Sequence, residues 1–213
     1  MLKVFIIILI VVLPAQLLLA QDEPTHTIAE LQALLQKKPA DSARVSLLLE
    51  SALVYVWRPG MEKKDFDSAL FFVDKAMAVS AALKDPLYNA RCLNVYSQLY
   101  REDNQKEKGR SYIDSAIGML TRHNLKEGLA VANWELQNYY NIYADNEWAD
   151  KIKYTEAAQR LYGESGNKLK QAEALKHLGD FYQVRRIDSM ALKHLHEALA
   201  IYKSLQYEKV QGV

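Results

Sequence analysis

Residues 172–205 read AEALKHLGDFYQVRRIDSMALKHLHEALAIYKSL, and they decide the fold. Apolar or small residues fall at Leu175, Leu178, Gly179 and Tyr182, then at Ala191, Leu195, Ala198 and Ile201. Within each half the spacings are three and four, so each set forms one stripe on an α-helix. The stretch predicts two amphipathic helices joined by a short turn. Ala191 and Ala198 lie two turns apart on one face, where a second helix can approach closely. A lone helical hairpin cannot bury such a face, so the pattern implies neighbours of the same kind.

Those neighbours emerge when the pattern is moved back along the chain. The first has Leu48, Ala52 and Tyr55, then Ala69, Val73 and Ala76, with a longer turn across 58–67. The second has Leu93, Tyr96, Ser97 and Tyr100, then Gly109, Ile113 and Ala116. The third has Leu136, Gln137 and Tyr140, then Ala158, Leu161 and Tyr162, with extra residues around Asn146-Glu147-Trp148. It is the weakest, because Gln137 replaces the small residue and Thr155 stands where an apolar one is expected. Ala76, Ala116, Ala158 and Ala198 recur with a period of about 40, longer than the ~34 of a minimal helix–turn–helix repeat. The surplus is expected in the links 81–86, 122–127 and 163–168, with each helix about a turn longer than the minimal unit.

The pattern resembles the tetratricopeptide repeat. Counting Ala172 as the first position, the family's small residue falls on Gly179, its tyrosine on Tyr182 and its two alanines on Ala191 and Ala198. The family's late proline is absent, with Lys203 in its place. The resemblance implies an all-α, right-handed solenoid of antiparallel helix pairs over 41–213. Its repeats would span 42–83, 84–123, 124–167 and 168–206, with the opening of a fifth at 207–213. The array breaks off at Val213 inside a repeat, as at the edge of a longer chain or a truncated gene.

The family's first helices line a concave groove. By that resemblance the groove residues are Arg91, Asn94, Gln98 and Arg101, then Trp134, Asn138 and Asn141, then Glu173, Lys176, Asp180 and Gln183. Amides and guanidinium groups suit a protein partner or an extended peptide, and a Trp can anchor a side chain. The first repeat places Ser46, Leu49, Leu53 and Val56 there instead, and the helix expected at 28–35 would cover them. The Lys/Asn clamp that some family members use for acidic peptide tails is not reproduced.

The ends of the chain add a second theme. Lys3, the apolar run 4–13, Pro14 and Leu17-Leu18-Leu19-Ala20 before Gln21-Asp22-Glu23 form a secretory signal over 1–20, with cleavage after Ala20. The competing reading is an uncleaved anchor, since about 17 apolar residues can just span a bilayer. Residues 21–40 then form a lead and a short capping helix. Thr27 and Glu30 have the spacing of a capping box, with Leu31, Leu34 and Leu35 following and Pro39 closing.

The remaining composition excludes more than it proposes. The 213 residues carry a net charge of +1, without the basic excess of a nucleic-acid binder. Tyr is plentiful at 13 and Gly scarce at 8, which favours helices over a loop-rich fold. Cys92, the single cysteine, leaves no internal disulfide and reads as a buried, inert thiol. His194 and His196 are two apart and point to different helix faces, so no metal site is expected. Asp67-Ser68 and Asp188-Ser189 read as helix-start residues. No nucleophile has a base and an orienting partner, so neither catalytic residues nor a cofactor are expected.

Export, a period of about 40 and tyrosine-rich first helices are together similar to the periplasmic part of tetratricopeptide-containing sensor histidine kinases of the Bacteroidetes. That resemblance implies a sensor whose membrane helix and kinase module follow the array. The alternative is a free-standing periplasmic adaptor for protein assembly without a signalling output. A membrane tether would run through 1–20 if uncleaved, or through a span beyond 213.

Overall fold

The computed structural model describes residues 26–211. Among them the chain is all-helical, in the order α1 (Ile28–Gln36), α2 (Asp41–Val56), α3 (Lys63–Leu83), α4 (Pro86–Glu102), α5 (Lys106–Arg122), α6 (Lys126–Leu136), α7 (Trp148–Glu164), α8 (Lys168–Val184) and α9 (Asp188–Gln211). A 3-10 turn, Gln137–Tyr139, follows α6. The expected signal at 1–20 lies outside the described residues. No helix among the described residues is long and apolar enough to cross a membrane.

Local chemistry sets most helix ends. Thr27 and Glu30 form the expected capping box: the Thr27 N–H donates to Glu30 Oε2 at 2.7 Å, and Thr27 Oγ1 accepts from the Glu30 N–H at 3.3 Å. Asp85 caps α4 through the Leu87 N–H at 2.8 Å, and Pro86 occupies the first turn, where no donor is needed. The C-terminal ends share a device. Asn104, Asn124, Gly166 and Arg186 turn left-handed, and the next N–H reaches back to the carbonyls of Tyr100, Leu120, Tyr162 and Tyr182. These Schellman closures make three-residue connections and so force antiparallel neighbours. Asp67 and Ser68 do not start a helix. They lie one turn inside α3, where Asp67 pairs with Lys63 and Ser68 donates to the Lys64 carbonyl.

Adjacent helices pack in pairs: α2 with α3, α4 with α5, α6 with α7, and α8 with α9. Each pair meets the next through α3 on α4, α5 on α6 and α7 on α8, while α2 also touches α4 and α4 touches α6. The stripes read from the sequence face these contacts. Ala69, Ala76, Ala116 and Ala158 are fully buried, and Ala191 and Ala198 nearly so. At Gly179 an added Cβ would lie 2.6 Å from Leu195 Cγ and 3.2 Å from the Ala191 carbonyl oxygen, so α8 and α9 touch almost backbone to backbone there. Thr155 is completely buried despite its hydroxyl, which donates to the Lys151 carbonyl at 2.8 Å.

Three expectations require correction. The links at 84–85, 123–125 and 165–167 carry no surplus, whereas the helices do run long as expected, with α4, α5, α7 and α8 each 17 residues. The third pair is broken: α6 stops at Leu136, and Tyr140 is already extended. Residues 137–146, QNYYNIYADN, supply side chains that compete with a helix for its own backbone. Asn141 Oδ1 accepts from the Tyr143 N–H at 2.9 Å, and Glu147 accepts from the Asn141 N–H at 2.7 Å. Ile142 then pins the loop into the core formed by Ile152, Leu175, Leu178 and Tyr182. Finally, α9 runs unbroken to Gln211, so no turn opens a fifth repeat at 207. Within α9 itself there is neither a proline nor a glycine to interrupt the helix.

Candidate binding groove

The inner faces of α2, α4, α6 and α8 enclose a groove of about 760 Å³. Ser46, Leu49 and Leu53 stand at the α2 end, and Arg91, Asn94 and Gln98 come from α4. Val131, Trp134 and Glu135 come from α6, with Gln137 and Asn138 from the turn after it. His177 and Phe181 close the α8 side. Lys151 enters from α7, a second helix. There the Gln137 carbonyl, which accepts from the Tyr140 N–H at 3.2 Å within the 3-10 turn, also accepts from Lys151 Nζ at 3.0 Å.

The polar groups are mostly tied to one another. Gln98 Nε2 donates to Asn94 Oδ1 at 2.7 Å, and Asn94 Nδ2 lies 3.5 Å from the Val131 carbonyl. Arg91 reaches across to Ser46 Oγ at 3.1 Å. Glu135 is 3 % exposed and meets Arg101 through Nε at 2.8 Å and Nη2 at 3.3 Å. Burial pushes the Glu135 carboxyl up, against the pull of the Arg101 charge. Asn138 adds a third donor to Glu135, at 3.3 Å. Aromatic rings form a run across the α6–α8 side: Trp134 meets His177 edge-on at 5.0 Å, and His177 meets Phe181 at 5.8 Å. Burial, with help from the nearby Lys176 charge, pushes the His177 imidazole below its ordinary value, so it is neutral at pH 7.

The sequence expectations divide cleanly. Arg91, Asn94, Gln98, Trp134 and Asn138 line the groove. Arg101 does not: its guanidinium is committed to Glu135 and, at 2.5 Å, to Glu102. Asn141 leaves the face because α6 has ended, and its polar groups serve the loop. Lys176 and Asp180 pair with each other at 2.8 Å, and Glu173 pairs with Lys170 at 3.0 Å. Neither pair lines the groove, nor does Gln183. The groove meets α8 through His177 and Phe181, one residue and about 100° further round the helix. Helix α1 packs on α2 and buries Leu31, yet Leu49 and Leu53 stay at the groove's end.

Lys151, His177 and Phe181 were not expected in the groove. The sequence carried no signal for Lys151, since a second-helix lysine reads as an outward face. No cluster of three metal-ligating side chains occurs among the described residues. His194 instead stacks on Tyr182 at 5.5 Å.

Lys151 makes stability depend on pH. Burial and the Arg101 charge push its ammonium down to about 8. An unfolded lysine holds its proton to about 10.4. Between those values the unfolded chain binds more protons, so the lysine's contribution to stability rises with pH over that window and is flat below it. The difference in urea midpoint between wild type and Lys151→Met should therefore shift in favour of wild type from pH 8 to pH 10. A difference independent of pH would show that Lys151 is not perturbed.

No family profile matches the sequence, and no curated protein matches it significantly.

Proposed function

We propose that the chain is an exported protein-interaction scaffold of tetratricopeptide type, serving as the extracytoplasmic sensory part of a histidine kinase-like signal-transduction protein. The observation that carries the reading is the groove itself. Four helices of successive pairs contribute to one continuous surface, with amides to meet a peptide backbone and an aromatic run to anchor side chains. The pairing of helices and the alanines at their closest contacts suit a right-handed solenoid in which each repeat touches only its neighbours. Output would come from a change in curvature on binding, with the 3-10 break after α6 as the place that yields. Export rests on the apolar run and small-residue exit at 1–20.

Cell fractionation combined with N-terminal sequencing tests the exported half of this reading. The expected product begins at Gln21 and is accessible to protease only after the outer membrane is opened. A cytosolic product that retains Met1 and the apolar run would overturn it.

A further inference from the structure

The geometry points to an internal aspartate or glutamate side chain of an extended peptide, flanked by a large apolar residue, as the group that docks on Lys151. This rests on the groove being the binding site and names what the groove selects. An ammonium has three donors. Lys151 Nζ spends one on the Gln137 carbonyl at 3.0 Å and lies 5.0 Å from the centre of the Phe181 ring. No carboxylate among the described residues pairs with it. Glu135, which lines the same groove, is already held by Arg101 and Asn138. A half-buried cation with donors to spare, at the edge of a groove, is a site for an anionic acceptor.

The neighbouring rings refine the ligand. The ring run Trp134–His177–Phe181 ends at Lys151, so the acid should travel with a large apolar side chain. In an extended peptide residues i and i+2 project to the same side, about 7 Å apart. The rest of the groove restricts the number of acids. Glu50 and Glu127 also line it, so a run of carboxylates would be repelled where it passes them. The acid that Lys151 holds sits at the α6–α8 end, apart from Arg91, which donates to Ser46 Oγ at the α2 end.

The test uses a fluorescein-labelled positional-scanning hexapeptide library, acetylated and amidated so that side chains supply the only carboxylates. Pools fixing Asp or Glu at one position should bind wild type at least about tenfold tighter than pools fixing Asn or Gln there, a difference of about 1.4 kcal/mol. Lys151→Met should abolish that preference while leaving the other pools unchanged, and Lys151→Arg should keep most of it. Binding without an acidic preference, or a preference that survives in folded Lys151→Met, overturns the inference but leaves the groove reading standing. Tight binding only of a second, non-acidic library with free C-termini also overturns it, in favour of a terminal carboxylate. No binding of any pool overturns the groove reading and the inference with it.

Discussion

Glu135→Ala should lower the unfolding free energy by about 3–5 kcal/mol, the largest effect expected of any single change in the groove. The carboxylate is nearly inaccessible, and two nitrogens of Arg101 and the Asn138 amide all donate to it. Removing it leaves the Arg101 guanidinium, itself only 13 % exposed, with Glu102 alone. It also leaves Lys151 facing Arg101 without the negative charge between them, which raises the repulsion already felt by that lysine. The double replacement Arg101→Met with Glu135→Leu should cost far less, because both desolvation penalties disappear together. Urea unfolding of the two variants measures the contrast. Equal losses in the single and double variants would show that the pair is not a coupled unit. The same geometry rules out Arg101→Ala as a probe of binding, since its first effect is on the fold.

Gly109→Ala should destabilise by about 2 kcal/mol even though alanine is the better helix former. An added Cβ would press on the Tyr139 hydroxyl and lie 2.8 Å from the Ser97 carbonyl oxygen and 3.1 Å from the Arg101 nitrogen. Two of these three neighbours are backbone and cannot turn aside. The third is the hydroxyl that bonds to Ser97, at 2.7 Å from Oγ and 3.1 Å from the carbonyl, and so ties the 3-10 turn to α4. Overpacking here therefore also breaks the contact that fixes the break after α6. Gly118, on the same helix, has nothing within 4 Å of its added Cβ. Gly118→Ala should stabilise by about 0.5–1 kcal/mol. Thermal melting of the pair checks the sign of both changes. A stabilising Gly109→Ala would mean that α5 does not approach α4 this closely.

Much of this architecture was legible because small residues and tyrosines recur where helices meet. Ala69, Ala76, Ala116, Ala158 and Ala198 carried the pairing, and the capping box at Thr27 and Glu30 carried the start of α1. The failure at residues 137–147 has a physical cause. An apolar stripe can be followed through Leu136 into Tyr140, but periodicity does not register the Asn141 and Glu147 side chains bonding nearby backbone. The groove residues suffered from the same error. Asn141 lies past the end of α6, off the helix face expected of it, and nothing in the spacing marks Lys151 as a groove residue. Arg101, expected to meet a ligand, is held by Glu135, distant in sequence. Pair partners across helices cannot be read from spacing within one helix. Lys203 in place of the late proline was the available sign that α9 would run on.

The most direct test of the central claim, that partners are held in the groove, is site-specific photocrosslinking in the native cell. A benzophenone side chain at Val131, which is exposed within the groove, is compared with one at Phe71, exposed on α3 and absent from the groove lining. The expected result is a discrete crosslinked partner from position 131 and none from position 71, with the adduct lost when Trp134 is replaced by Ala. A partner captured from position 71 and not from position 131 would place recognition on the outer helices and contradict the account.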